Sequence, residues 1–562
     1  MALPSVRARF LNGGLGIVTS GAGRTQVKVG VSLLGDPNTI QVCSGSTVAK
    51  RLLKGGPLCD CVVNQARRSG ATVLAINVPI SAMGTVAAFA QQGTGAGAVS
   101  GSAAPTDQIL AKCTTGGTVG TAAFQFSVGG GAYGPAVVSQ GATWTKRVPG
   151  TFTNLVFAPA TYRLNDVYTV TPAGVITVTA GGPETVTQSS SPVDQYRAIV
   201  TIAKAGARGT AEFTYSLDNG SNTSRVYTTA ATFVVPNSGI VLAFTDAAYV
   251  QGDIYTSTST GPAFTSSDAQ TAIEAALQSA YDFEGIHIVG TPATAANALT
   301  LATMLDTELQ GAETEYLRYI WGVSECPTVE ADATVQAAFA NLVSNTGRLG
   351  VAIGDADVSS GDTGLLMRRN AAWSYTGRLA STKYSTHPGE VEGGALPGVQ
   401  AIYPAFGGGP VADTFDGSRF VTLRTFQGQA GYYVTRGNTM AVATSDYHAV
   451  QFVRVINRAA TIAQQALTRY LNADWRIDPD SGHLDDRDVI SVEGSVEHQI
   501  KNAMMGERGS AKDEISGAAV ALDPNADLLS DSTRTATVSI VPKGYSEFID
   551  IPIGFVNPRL NA

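Results

Sequence analysis

The sequence predicts a multidomain α+β chain in which a duplicated all-β part separates two α/β parts. "GTAAFQFS" at 120–127 returns as "GTAEFTYS" at 209–216, an offset of 89. "PTDQ" at 105–108 returns as "PVDQ" at 192–195, and "NDVYTVT" at 165–171 as "GDIYTST" at 252–258, both at an offset of 87. Three echoes in one order describe a tandem duplication of a module of roughly 85–90 residues. Beyond residue 263 the period changes: helical segments alternate with short apolar runs that start at 285, 316 and 348. Strands and helices alternating at that spacing predict βαβ units and a parallel sheet.

Composition narrows the class. Charged residues make up 15% of the 562, against roughly 25% in an average globular chain, while 44% are hydrophobic, which excludes disorder. A net charge of −8 is no nucleic-acid footprint. No apolar run follows the arginines of "MALPSVRARF", so a signal peptide is not expected, and no stretch of 18 apolar residues predicts a membrane span. Cys43, Cys59, Cys61, Cys113 and Cys326 are few and odd in number, which suits a reducing cytoplasm and no disulfide framework.

Taken in order, Val6, Ala8 and Phe10 alternate with Arg7 and Arg9 before a Gly-Gly break, as in a short detached strand. A strand is expected over 27–34, a helix over "STVAKRLLK" with Ser46 as cap, a second helix over "PLCDCVVNQARR", and a strand over 72–78. "GTGAGAVSGSAAP" at 93–105 reads as a linker. Within 106–262, alternating runs broken by Gly, Asn, Asp and Pro predict two small β-sandwiches. A helix over "SSDAQTAIEAALQSAY", capped by Ser or Asp, opens the α/β part, with further helices at 293–311, 331–345, 446–472 and about 490–506. "TATVSIVPKGYSEFIDIPIGF" closes the chain as a hairpin, with Ile549, Ile551, Ile553 and Phe555 on one apolar face that wants a sheet to join.

Motifs for catalysis fail their context tests. "GGGAYG" holds a GxGxxG at Gly129, Gly131 and Gly134, but it opens no helix. There is no P-loop and no HExxH, and His287, His387, His448, His483 and His498 are scattered. The acids Asp474 to Asp488 lie out of EF-hand register and read as a solvated turn capping the next helix. No catalytic residue, metal site or cofactor is assigned, and the chain is not read as an enzyme.

One helix stands out by charge. Tyr447 to Ala473 contains no acid, yet Arg454, Arg458 and Arg469 fall within about 60° of each other on a helical wheel. Val453, Ile456, Ala460, Ala463, Leu467 and Tyr470 take the other half. Two readings stay open here: an ordinary solvated face, or a positive ridge for an acidic partner surface.

The order of the pieces resembles the tail sheath proteins of contractile bacteriophages. The likeness is carried by "LLGDPNTIQVCSGSTVAKRLLKGGPLCDCVVNQARRSGATVLAINV", by the βαβ segment, by "GYYVTRGNTMA" running into "DYHAVQFVRVINRAATIAQQALTRYLN", and by the final "ATVSIVPKGYSEFIDIPIGF". It covers about 27–90 and 265–556 and leaves out 102–262. The resemblance implies a sheath core with a βαβ-type mixed sheet built from both chain ends, plus two tandem inserted all-β, sandwich-like modules. The divisions expected are an arm at 1–26, core at 27–101, modules at 102–189 and 190–262, core at 263–545, and an arm at 546–562.

The same resemblance implies a virion protein, assembled in the host cytoplasm, whose subunits stack as hexameric rings around a tail tube and contract to drive it through the host envelope. Its partners would be itself, the tube protein, and baseplate and tail terminator proteins, with no nucleic acid, no membrane insertion and no cofactor. Val6, Arg7, Ala8, Arg9 and Phe10, and Ile549, Ile551, Ile553 and Phe555, would add strands to neighbouring subunits. Arg454, Arg458 and Arg469 would face the tube. Two other classes stay in view: an adhesin or fibre-like protein working through the β modules, and a hydrolase with a metal in the Asp474–Asp488 loop.

Overall fold

A strand with no polar face must be covered on both sides, and β1 (Gln26–Gly30) is buried along its whole length. After it come β2 (Ile40–Cys43), α1 (Ser46–Leu53), α2 (Pro57–Ser69) and β3 (Val73–Asn77). Far along the chain follow α3 (Ser266–Leu277), β4 (Gly285–Ile288), α4 (Ala295–Thr314), β5 (Trp321–Glu325), α5 (Ala333–Phe339) and β6 (Leu349–Ala352), and, outside the sheet these strands make, β7 (Asp355–Ser359), β8 (Leu366–Asn370) and α6 (Ala371–Ser381). The computed structural model describes residues 24–178, 186–327, 333–404, 410–479, 483–523, 528–529 and 534–551. The N-terminal segment Val6–Phe10 lies outside them, as do Ile553 and Phe555.

The strands form one six-stranded sheet, in order β2-β3-β1-β4-β5-β6. All pairs are parallel except β2, which runs antiparallel to β3. β1 joins the two sequence regions: Gln26 pairs with Val73 on one side and with Gly285 on the other. Gly285 is required by packing, because a Cβ there would lie 2.3 Å from the Trp321 ring. Several expectations shift in detail. The run at 40–43 forms a strand that local alternation did not announce. Gly45, not Ser46, precedes α1, and α3 is capped by Thr265 in a reciprocal pair with Asp268.

The β-rich insertion occupies the β3–α3 crossover and leaves it through a paired stem. Ser81 N donates to Ala263 O (3.0 Å), Ala263 N to Ala82 O (2.9 Å) and Thr260 N to Thr85 O (2.9 Å). Insertions are best tolerated where the host chain enters and exits at neighbouring points.

The stretch expected to be a linker contains a strand, Val99–Ala103, and its pairing explains the duplication. Val99–Ala103 completes a three-stranded sheet with Ile240–Phe244 and Thr232–Val235 of the second copy. Val186–Ser190 does the same for Thr153–Phe157 and Trp144–Arg147 of the first. The registers match: Ile240 faces Ala103 and Thr153 faces Ser190, each residue 87 positions from its counterpart. The five-stranded sheets repeat the pattern, with Tyr255 facing Gln91 and Tyr168 facing Val178. The repeat therefore begins near residue 86, and the two leading strands of each repeat finish the sheets of the other. The expected boundary at 102 falls inside Val99–Ala103, a leading strand of the first repeat that completes a sheet of the second.

The chain divides into two compact units. Among the described residues, one comprises 24–382 with 388–450, the other Lys383–His387 with 451–551. In the second, α7 (Val450–Leu467), α8 (Asp486–Met504), β9 (Ile515–Leu522) and β10 (Ala536–Pro542) share a core that includes Val455, Ala459, Val492, Val496, Ile500 and Val520. The closing hairpin differs from expectation: β10 pairs with β9, Leu522 facing Ala536, and 543–551 form no strand. Among the described residues no helix is long and apolar enough to cross a membrane.

Because each repeat completes the other, a fragment spanning 79–265 should unfold cooperatively on heating, followed by far-UV circular dichroism. A fragment spanning 102–265, which lacks the leading strands of the first repeat, should show no cooperative transition.

Candidate interaction surfaces

Polar residues at one face of an apolar parallel sheet must find partners there. Lys28 on β1, His287 on β4 and Glu325 on β5 lie on one face, each at most 1% exposed. Lys28 Nζ donates to His287 Nδ1 (3.1 Å) and to Thr376 Oγ1 (2.8 Å). With Nδ1 accepting, the ring proton sits on Nε2 and is donated to Glu325 Oε1 (3.1 Å). Trp373 Nε1 donates to the same oxygen (2.8 Å), and Thr291 Oγ1 to Oε2 (2.6 Å). Burial, then the Lys28 charge, pushes the His287 pKa down to about 4. Burial pulls Lys28 down to about 8. The network pins three strands to α6 (Ala371–Ser381), and burial keeps it from solvent. "QVKVG", "GIHIV" and "WGVSE" each carry a polar residue inside an apolar strand, a signal that the scattered histidines had hidden.

In an open parallel sheet, ligands bind beyond the carboxyl ends of the strands where the order reverses. Here that point follows Gly30, between β1 and β4. It is filled by the insertion: Val31 and Leu33 pack with Phe152 and Val193, all at most 7% exposed. The insertion is also fastened by charge. Arg369, at the end of the strand Leu366–Asn370, grips Asp194 with a bidentate fork (2.7 and 2.6 Å) and Asp60 on α2 (2.7 Å). All three are nearly buried, and Arg369 lies 4.5 Å from the Trp373 ring centre. Asp107 is the counterpart of Asp194 in the repeated P-x-D-Q, and it pairs with Lys54 at 3.2 Å on the surface. The duplicated motif thus holds the core twice, once in the dry interior and once in water.

The positive ridge expected on α7 is not an outward ridge. Arg454 is 1% exposed, donates to Lys383 O (3.1 Å) and stands 5.0 Å from the Tyr384 ring. Arg458 covers the same ring (4.7 Å) and is ion-paired with Glu514, itself 2% exposed. The counter-charge and the aromatic ring come from segments more than 50 residues away, which helical periodicity cannot register. Arg469 is exposed in a short 3-10 turn. In the acidic loop, Asp485 caps α8 by accepting from Arg487 N, and Asp488 accepts from Arg476 N (3.2 Å); Asp480 lies outside the described residues.

The C-terminal segment has an anchored part and an outward part. Lys543 pairs with Asp513 (2.5 Å), and Tyr545 Oη donates to Ser385 O. Beyond these, Phe548, Ile549 and Ile551 are 82%, 77% and 68% exposed. Among the described residues β9 and β10 make a two-stranded sheet, so β10 has a partner on one side only. An open edge of this kind is a template for another strand.

Two outcomes test these networks. Arg369→Met should strand two buried carboxylates and cost about 3–5 kcal/mol, whereas Lys54→Met should stay within about 0.5 kcal/mol; thermal midpoints read the contrast. The folded His287 value lies below the ordinary ~6.5. Its contribution is therefore full above pH 6.5 and is lost as pH falls through 4, about 2 kcal/mol by pH 5. His287→Gln should flatten that part of a stability–pH profile.

A family model described as "DUF2586, N-terminal domain" matches residues 3–438, and one described as "DUF2586, C-terminal domain" matches 446–560. No curated protein matches the chain. Among solved structures it is similar to a sheath tail protein from Listeria innocua, at 10% identity and a TM-score of 0.40, over 92% of this chain and 94% of that one. It is similar to a sheath tail protein from Desulfitobacterium hafniense, at 10% identity and 0.42, over 96% and 100%. It is also similar to a contracted sheath complex of an extracellular contractile injection system, at 14% and 0.33, over 45% and 68%. These scores are too low to carry an argument about mechanism. The two family matches cover nearly the whole sequence, and the chain belongs to the DUF2586 family.

Proposed function

We propose that this chain is the structural subunit of a contractile tail sheath. Subunits stack as hexameric rings around a tail tube, and the polymer shortens to drive the tube through a host envelope. The observation that carries the reading is the end of the C-terminal unit: a two-stranded sheet with an open edge at β10, followed by the exposed Ile549 and Ile551. A neighbour's strand on that edge would satisfy backbone groups and cover apolar side chains together. The segments Val6–Phe10 and Ile549–Phe555 are the proposed shared strands. Support also comes from the order of the sequence segments and from a core sheet assembled from both sides of the insertion.

Of the three arginines, Arg469 is retained as the tube-facing candidate, because Arg454 and Arg458 are engaged within their own unit. The tube protein, baseplate and terminator proteins are the proposed partners, and the virion tail is the proposed location. Energy for contraction would be held in the packing of the assembled lattice rather than supplied by a nucleotide.

Purified protein should form long tubes in negative-stain micrographs. Removing 1–12 or 549–562 should abolish the tubes while the remaining chain sediments as a folded monomer. Tubes of normal appearance from both truncated chains would refute strand sharing.

A further inference from the structure

A cleft of about 710 Å³ opens between the second copy and the loops of the core that face it. None of the roles above uses it, and its volume is that of a small-molecule site. Three properties of its walls select a ligand class.

The first is charge. Each acid on the walls is already engaged by a cation: Asp60 and Asp194 by Arg369, Asp107 by Lys54, and Asp362 by Lys50 (3.2 Å). No charged group is left over to recruit an ion. The second is unspent neutral hydrogen-bonding capacity. Tyr196 is 3% exposed and lines the cleft, yet among the described residues its hydroxyl makes no hydrogen bond. The side chains of Thr223 and Asn237, also on the walls, make none. The Tyr196 hydroxyl is not among the fully enclosed oxygens, so it reaches the cleft and can meet a ligand hydroxyl there.

The third is an aromatic face. Tyr215 lines the cleft half-buried, and its ring is braced by stacking on Tyr227 (5.9 Å, 23°). Arg225 supports Tyr227 in turn, 4.9 Å from its centre. The repeat supplies an internal control, since the first copy holds Ile109, Phe126 and Val137 where the second holds Tyr196, Tyr215 and Tyr227. Ile109 and Phe126 belong to the core of their own copy, and Tyr196, Tyr215 and Tyr227 likewise pack in the core of theirs, with Tyr215 at its half-buried margin. The tyrosines are thus a property of the second copy and not of the module's fold.

A flat ring takes the C–H face of a pyranose, and neutral hydroxyl and amide groups take its hydroxyls. We infer that the cleft of the second copy binds a neutral saccharide, with Tyr215 as stacking platform and Tyr196 as buried hydrogen-bonding group. This does not rest on the polymer reading.

Saturation-transfer difference NMR on the full chain tests it, with glucose, galactose, mannose, N-acetylglucosamine, maltose and lactose as probes. At least one sugar should receive transfer. Tyr196→Phe, which removes a single oxygen, should weaken its affinity about three- to tenfold, as for one lost hydrogen bond. Tyr215→Ala, with a cooperative thermal transition showing that the chain is still folded, should abolish the transfer. Asn237→Gly, at the exposed rim, removes the side chain while tolerating the positive φ of 57°, and should also weaken binding. No transfer from any of the six sugars overturns the inference. So does transfer that survives Tyr196→Phe and Tyr215→Ala undiminished, or uptake of phosphate or calcium in place of sugar.

Discussion

The pairing of β1 with β4 is the constraint on which the first unit depends. Gln26 to Val29 lie in register with Gly285 to Ile288, although more than 250 residues separate them. Closing so long a loop costs conformational entropy that grows only slowly with length, but the pairing must still be worth more than that cost. Two features supply it. Val27, Val29, Ile286 and Ile288 are fully buried, and each such side chain contributes about 1.5–3 kcal/mol. Lys28 and His287 meet directly across the same register, where a slip of β4 by one residue would take from the buried ammonium one of its two acceptors. Polar residues in the sheet thus fix the alignment that the apolar ones drive.

That alignment also decides where an insertion can go. The β3–α3 crossover leaves β3 and enters α3 at neighbouring points, since residues 81–87 and 258–263 pair as they leave and return. The inserted repeats add little to the entropy of closing the loop, because their own closure keeps the two ends together. The mutual completion of the copies matters here. An open repeat would present unpaired strand edges, whereas two repeats that finish each other present a closed pair. Once fastened by Asp194 and Asp107, the pair occupies the crevice that a sheet of this order would otherwise leave for a ligand. The proposed saccharide cleft lies instead at the seam between the second copy and the core.

Period and echo made much of this legible. The alternation after residue 263 is strong because each strand is buried on both faces and each helix on one, and the parallel sheet followed from it. The duplication was visible because Phe124, Tyr168, Phe213 and Tyr255 are core residues whose spacing cannot drift. What escaped has a common cause, namely partners distant in sequence. Val99–Ala103 looks like a linker because small residues dominate it, and only Ile240–Phe244 makes it a strand. The run "IQVC" has too few residues to show a period, yet β3 recruits it. Arg454 and Arg458 looked outward because no acid lies within their helix, whereas Tyr384 and Glu514 arrive from elsewhere.

The arginines bear on what kind of association the C-terminal unit can support. A guanidinium already matched to a buried carboxylate and an aromatic ring is a poor donor to a second molecule, since recruiting it would strand Glu514 in a site only 2% exposed. What the described surface of this unit does offer is backbone along β10 and aliphatic side chains at 549 and 551. Contacts of those two kinds differ from ion pairs in a way that matters for a lattice that changes shape. Main-chain bonds are directional and hold their length while a linker rotates, and apolar cover tolerates sliding. Charge pairs on the rim depend steeply on distance and on salt. In the proposed lattice a shared strand would keep neighbours attached through a large displacement, leaving weaker charged contacts such as that proposed for Arg469 to be made and broken. Folding thus separates the two features that the sequence offers for association: Arg454 and Arg458 bind their own unit together, while Ile549 and Ile551 stay exposed.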